Sequence, residues 1–435
     1  MPIPTGEGRT VLYNEVYPKY AGRSFGRQMC DWQERIDMNR MRRERTKRLR
    51  DCMKEAGVAG MLLLDPRHMK YAVGLNLRGF TTGLAYVLFP LEGEPIIYGH
   101  GTPAIQDRRD LAWLKPENVR YSIPAAVGAM AMGLYTDPAA REYQLRKMGE
   151  QVKSGLDELK LGKEVLALDI GDAGVLSILE RLGVKTSVRP EIVVKALEIK
   201  TQDEIECLRM VASICDMGHY EVARYARPGV TESELGGYGL YMSAKLGAEP
   251  GGIVGPMGGQ YTWPLFRSAT DRQFRPGDII LIEFFITWNG YGSCYYRTHS
   301  IMTKPSQAAR DAYKRIRDWL YNALSECKAG KTTADMLKHF PDEKKIWGLD
   351  PDYTWGDNLM HGIGLTMYGP PHATRAWAFE HPYELKEGHT FAIETQDGVG
   401  DGQGVRLEEM VVVTKTGYEV LSRYPADEID VCPVA

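Results

Sequence analysis

Five ionisable or nucleophilic side chains stand at ordered points in the second half of this chain, four in or at the ends of short apolar runs. Together they constrain the fold more than any other feature. Glu283 closes Pro276-Gly-Asp-Ile-Ile-Leu-Ile-Glu283, and Cys294 follows the turn Asn289-Gly-Tyr-Gly-Ser in a stretch running to Thr298. His361 lies in Leu359-Met-His-Gly-Ile-Gly-Leu365. Glu394 ends Phe391-Ala-Ile-Glu394, and Glu408 ends Gly404-Val-Arg-Leu-Glu408. Aliphatic runs bounded by Gly and Pro read as strands. An unpartnered carboxylate in such a run is costly to bury, so Glu394 requires a partner, functional or structural. Pressed into one pocket, two carboxylates and an imidazole shift each other's pKa values: like charges raise one carboxylate, and His361 favours the ionised form of another. Such a set can supply a general acid and a general base near neutral pH.

With 435 residues, the chain accommodates two domains with sizeable cores. A net charge of -3 offers no electrostatic case for nucleic acid. No apolar run approaches the ~20 residues needed to cross a bilayer. Met1-Pro-Ile-Pro-Thr-Gly-Glu-Gly lacks the basic-then-apolar layout of a signal peptide. The seven cysteines include no Cys-x-x-Cys pair, as expected of reduced thiols. The expected setting is the cytoplasm, without membrane or nucleic acid as partner.

Residues 1–38, rich in Gly, Pro, Tyr and Arg, show no period and read as an irregular arm. A helix is expected across Met38 to Ala56, with the basic run Arg40 to Arg50 read as a solvated face. Gly60 to Asp65, Gly83 to Phe89, Glu94 to Tyr98 and Val165 to Asp169 read as strands. With a helical pattern over Ala173 to Leu182, they predict an α/β domain over 39–195. A second domain is expected over 196–435. Its opening helix has apolar residues at Ile205, Leu208, Val211, Ala212 and Cys215, one helix face. Thr201 and Glu204 form a capping-box pattern at its start, and Pro228-Gly-Val-Thr231 announces a second capped helix.

In order and spacing these motifs resemble the pita-bread superfamily, which includes methionine aminopeptidase, aminopeptidase P, prolidase, creatinase and dimethylsulfoniopropionate lyases. The resemblance covers about residues 45 to 435 in layout and 196 to 415 in specific motifs. It implies an α/β (α+β) fold: a pita-bread catalytic domain preceded by a smaller creatinase-type domain, assembled as a homodimer with shared active sites. Leu64-Asp-Pro-Arg-His-Met-Lys-Tyr-Ala72 is most similar to the lyase branch. Metal-dependent members place Asp, Asp, His, Glu and Glu at five points, which here hold Glu283, Cys294, His361, Glu394 and Glu408. Two further histidines of those members are also missing, with Trp263 and Tyr368 the nearest matches.

These departures predict the chemistry. Two bridged metals sit about 3.5–4 Å apart and need bridging carboxylates. A thiolate at 294 is a poor bridge between hard ions. Lengthening the first ligand to Glu283 moves its oxygens by about 1 Å, beyond the tolerance of ligand distances. The expectation is therefore no metal cofactor and an acid/base site, as the resemblance to creatinase allows. The alternative is one Zn or Fe ion per chain on Cys294, His361, Glu394 and Glu408. His361, Glu394, Glu408 and Glu283 are the catalytic candidates. Tyr296, Tyr368, Trp263, Arg78, Arg375 and Cys294 are candidates for binding a small, aromatic or partly apolar molecule. Arg78 is the one that the resemblance to creatinase-like dimers would bring from a partner chain. Bland roles stand beside these: Cys294 as a core filler, Arg406 and Arg297 as ion-pair partners of the acidic cluster, Asp278 as a turn residue. The expected function is a metal-independent lyase, of elimination or retro-aldol type, on a non-peptide substrate. The alternatives are a creatinase-like C–N hydrolase, a mononuclear Xaa-Pro aminopeptidase relative, and a non-catalytic binding module.

Overall fold

The computed structural model describes residues 3–4, 10–11, 35–75, 85–99, 111–122, 137–264, 268–347 and 359–433. Arg78 and most of the arm expected over 1–38 lie outside the described residues. The chain divides into two compact units: Met1–Lys19 with Met38–Leu197, and Tyr20–Asp37 with Glu198–Ala435.

The first unit runs α1 (Met38–Glu55), β1 (Gly60–Leu63), α2 (Pro66–Val73), β2 (Tyr86–Pro90), β3 (Ile96–Gly99), β4 (Val119–Tyr121), α3 (Pro138–Glu158), β5 (Leu166–Leu168), α4 (Ala173–Arg181) and β6 (Thr186–Val188). Its sheet has the order β4-β3-β2-β1-β5-β6. The β1–β2 and β2–β3 pairs are antiparallel and the others parallel. β1 ends at Leu63 rather than at Asp65 because Asp65 caps α2. Its carboxylate accepts the Arg67 N–H, and Pro66 fits the first helical position. The sequence reading did not anticipate α3, although Asp137-Pro138 carries the same signal: Asp137 accepts the Ala139 N–H. α3 places Met148, Val152 and Leu156 in this unit's core.

The second unit holds α5 (Gln202–Tyr225), α6 (Glu232–Lys245), β7 (Ile253–Gly258), β8 (Ile279–Phe285), β9 (Tyr295–Ile301), α7 (Gln307–Ser325), β10 (Met360–Gly362), β11 (Gly369–Ala373), β12 (Thr390–Gly398), β13 (Gly404–Val413), β14 (Tyr418–Val420) and β15 (Asp430–Cys432). Both halves of the capping box at Thr201 and Glu204 are formed, and the expected apolar stripe of α5 is buried. Two sheets have the orders β15-β9-β8-β7 and β11-β10-β12-β13-β14. Ala312, Ile316, Leu320 and Ala323, spaced at helical repeats along α7, pack with Ile393, Leu407 and Val411 in one core. Burying each large aliphatic side chain there contributes about 1.5–3 kcal/mol. Because strands alternate faces, fixing Ile393 and Leu407 in that core turns Glu394 and Glu408 to the opposite face. No helix among the described residues is long and apolar enough to cross a membrane.

Candidate active site

Strand register assembles the cluster. Glu394 on β12 lies directly across from Glu408 on β13. His361 on β10 pairs with Ala392 of β12, and Glu283 on β8 pairs with Tyr296 of β9. Gly362 is required beside His361, since a Cβ there would come within 2.5 Å of the Gly369 and Pro370 carbonyl oxygens. That tight approach explains the His-Gly pair in the motif.

Two like charges facing each other across a sheet are destabilising, and here they are handled differently. Arg406 stands two residues before Glu408 on the same face. Its Nε donates to Glu394 Oε2 at 3.0 Å, and its Nη2 bonds the same oxygen. Glu408 is fully buried and has no such cation. Its Oε1 lies 3.5 Å from His361 Nε2. His361 Nε2 and both Glu408 carboxylate oxygens are buried without a hydrogen-bond partner. Burial, then the charges of Glu394 and Glu283, push Glu408 up to about 7, although His361 opposes the shift. Burial would lower the His361 pKa, but Glu408 and Glu394 outweigh it and raise it. The two groups are therefore poised to exchange a proton near neutrality.

Around this pair, Glu283 Oε2 accepts from the Tyr296 hydroxyl at 2.6 Å, and its Oε1 accepts from the Cys294 thiol at 3.4 Å. Burial and three neighbouring carboxylates hold Cys294 as a thiol. The Tyr368 ring lies 4.5 Å from the His361 ring, tilted by 39°, and remains 57% exposed, which puts it at the open side of the cluster. Burial, then the neighbouring cysteine and carboxylates, raise its pKa.

Residues 206–415 match metallopeptidase family M24. That stretch is an M24 domain with the pita-bread fold. The probable dipeptidase PepE of Mycobacterium tuberculosis is 24% identical over 389 residues, covering 88% of this chain and 94% of that protein. The dimethylsulfoniopropionate lyase DddP of Roseovarius nubinhibens is 23% identical over 410 residues, covering 90% of this chain and 87% of its own. In fold, the Xaa-Pro dipeptidase of Bacillus anthracis superposes with a TM-score of 0.69 at 22% identity, over 89% of this chain and 99% of that one.

The M24 frame raises the question of metal. Ligand atoms of Cys294, His361 and Glu408 all lie within 4.8 Å of one another, and all three residues are buried. That sulfur, nitrogen and oxygen set fits one borderline-soft ion such as Zn. The five points together do not fit two bridged ions. Glu283 is engaged by Tyr296 and Cys294, Glu394 by Arg406, and the Cys294 thiol is a poor bridge.

Tyr296 is buried with its hydroxyl on Glu283 and its ring 4.2 Å beneath the Arg406 guanidinium, so it holds the cluster rather than facing a ligand. Trp263 packs on Gly398 and Gly404 at the far end of the β12–β13 hairpin. Gly398 is four residues beyond Glu394, or roughly 13 Å along a strand, so Trp263 does not replace a proton carrier beside His361. Arg375 donates to the Phe340 carbonyl at 3.0 Å and lies over the Phe379 ring. Its contacts are with its own helix and its neighbours, not with the cluster. Asp278 is the expected turn residue, paired with Arg272 at 2.8 Å. Arg406 neutralises the cluster as expected, whereas Arg297 does not: it binds Glu409 on the other face of β13 at 3.0 Å. Sequence reading missed Glu409. The doublet Glu408-Glu409 was the available signal, since adjacent strand residues face opposite sides and each needs its own solution.

Proposed function

We propose that this chain is a metal-independent acid/base enzyme acting on a small non-peptide molecule, a lyase of elimination or retro-aldol type. The observation that carries this reading is the buried His361–Glu408 pair, facing at 3.5 Å with no other hydrogen-bond partner for those atoms. A general base and a general acid must each be able to hold or release a proton near the working pH. Glu408, raised to about 7, meets that condition. In an elimination, one member of the pair takes the proton from carbon. The C–H electron pair becomes the new π bond, the leaving group departs with its own electrons, and the other member returns a proton to it. Arg406 pairs with Glu394 and fixes its carboxylate, and Glu394 in turn raises the proton affinity of Glu408. Tyr368, exposed beside His361, would donate to a developing oxyanion. The likeness to a lyase that acts on a non-peptide molecule supports this reading.

A second reading rests on a different observation, the three donors within 4.8 Å. One Zn or Fe ion would be held by Cys294, His361 and Glu408 and, when bound, would supply Lewis-acid activation of water for a hydrolase. Peptidase relatives such as PepE favour that reading.

One experiment separates the two. Protein purified without added metal is analysed for bound ions. It is then assayed, before and after chelation, on Xaa-Pro dipeptides and on small compounds carrying a leaving group beta to an acidic C–H. The lyase reading expects substoichiometric metal, negligible peptide turnover and chelator-insensitive elimination. One tightly bound ion per chain whose removal abolishes activity overturns it in favour of the hydrolase. We propose the assembly to be a homodimer, following the creatinase-like resemblance; a monomeric mass by sedimentation overturns that.

A further inference from the structure

The basic run of α1 is not only a solvated face. Arg42, Thr46 and Arg50 recur every four residues, with Arg43 and Lys47 beside them, so all five share one side of the helix. That side forms one wall of a cavity of about 420 Å³, whose other wall is the Gly93–Pro95 turn and Trp113. We propose that this cavity in the first unit binds a small polyanion bearing phosphate or carboxylate groups.

Three features carry the proposal. The lining has four cations, Arg42, Arg43, Lys47 and Arg50, against two carboxylates, Asp51 and Glu94. Both carboxylates are already engaged: Asp51 accepts from Lys47 at 2.6 Å, and Glu94 from the Asn118 amide at 2.8 Å. The wall therefore keeps an excess of two positive charges, four against two, and Glu92 acts on Arg50 from beside it. Second, two N–H donors in this wall, Arg50 Nε and Trp113 Nε1, are buried without an acceptor. A buried donor left unmade is costly, and an anionic oxygen satisfies it. Third, the wall is preorganised. The Arg42 guanidinium lies 4.1 Å over the Trp113 ring, and Arg50 is anchored on the Gly93 carbonyl. A stacked guanidinium keeps its in-plane N–H groups for donation. Burial and the nearby Arg43 lower the Arg42 pKa, as expected where like charges crowd without a counter-ion. The cavity falls within the range of about 300–1,000 Å³ used for small molecules, and a chain of net charge -3 does not invite a nucleic-acid backbone.

The test is calorimetric titration of the full chain at low salt with pyrophosphate and, separately, with citrate. Saturable binding of either is expected; stronger pyrophosphate binding marks a phosphorylated ligand, and stronger citrate binding a polycarboxylate. Arg50→Gln should weaken that binding by about tenfold or more, the effect of losing one charge-assisted hydrogen bond. Arg43→Gln should weaken it in the same direction. Arg43 is exposed, so that variant keeps the test decisive should Arg50→Gln unfold on circular dichroism. Absence of saturable binding by both anions overturns the proposal, as does binding that Arg43→Gln and a folded Arg50→Gln leave unchanged.

Discussion

Glu408 and Glu409 are neighbours on one strand, both buried, and they have opposite environments. Glu409 meets the Arg297 guanidinium at 3.0 Å, the Tyr321 hydroxyl at 2.8 Å and the Ser422 hydroxyl. Arg297 is in turn completed by the Tyr424, Tyr296 and Glu408 carbonyls. Glu408 meets an imidazole at 3.5 Å and like charges. A closed network of that kind specifies packing, and its members tolerate loss poorly. An incompletely satisfied carboxylate beside a histidine is a reservoir of proton affinity and a mark of a functional site. One face of β13 thus carries a closed charge network and the other a pair left unsatisfied.

The largest effect should come from breaking the closed face. Arg297→Met strands Glu409 as an uncompensated buried charge and should cost about 3–5 kcal/mol in urea unfolding. Adding Glu409→Leu should recover much of that loss, because an apolar pair of similar volume replaces a buried ion pair well. If Arg297→Met unfolds at the wild-type midpoint, the two faces are not different in kind.

On the open face the readout reverses. Glu408→Gln and His361→Ala should each lower the catalytic rate by about 100-fold or more, while Glu408→Gln, which removes the buried charge itself, holds or raises the unfolding midpoint at neutral pH. Variants that stay folded with near-normal rates would return the pair to structure and favour a binding module.

The pH dependence of stability sharpens the same contrast. Glu408 moves from 4.5 to about 7 on folding, so the folded state holds more protons than the unfolded one between those values. Its contribution is present below about pH 4.5 and is lost as pH rises through about 7. The raised His361 pKa acts in the same direction, its contribution fading as pH passes above its folded value. Stability measured across this window should therefore fall more steeply in the wild type than in Glu408→Gln. Equal slopes would show that Glu408 does not carry the raised pKa.

The smallest effects belong to the phenols. Tyr296→Phe removes the hydroxyl from Glu283 and should cost ~1 kcal/mol of stability. Tyr368→Phe should leave stability unchanged and raise the activation barrier by ~1 kcal/mol, one hydrogen bond. If Tyr296→Phe instead affects only substrate affinity, then Tyr296 faces the ligand after all.

Much of this was legible in the amino-acid order, because it depends on local rules. Capping at Thr201 and Glu204 needs only a separation of three residues. The face to which Glu394 and Glu408 turn follows from strand alternation once Ile393 and Leu407 are in the core. The motif order from Glu283 to Glu408 carried the family. Which partner meets which charge was not legible. Arg297 and Arg406 look equivalent in sequence, yet one serves Glu409 and the other Glu394. Trp263 and Arg375 stand at plausible motif positions and pack elsewhere. Those outcomes depend on contacts between residues from a dozen to more than a hundred positions apart, set by inter-strand register and by packing over α7. A local pattern specifies that a buried charge must be neutralised. Only the tertiary structure decides by which group and at what distance, because Coulomb and hydrogen-bond energies depend on separation in space and not along the chain.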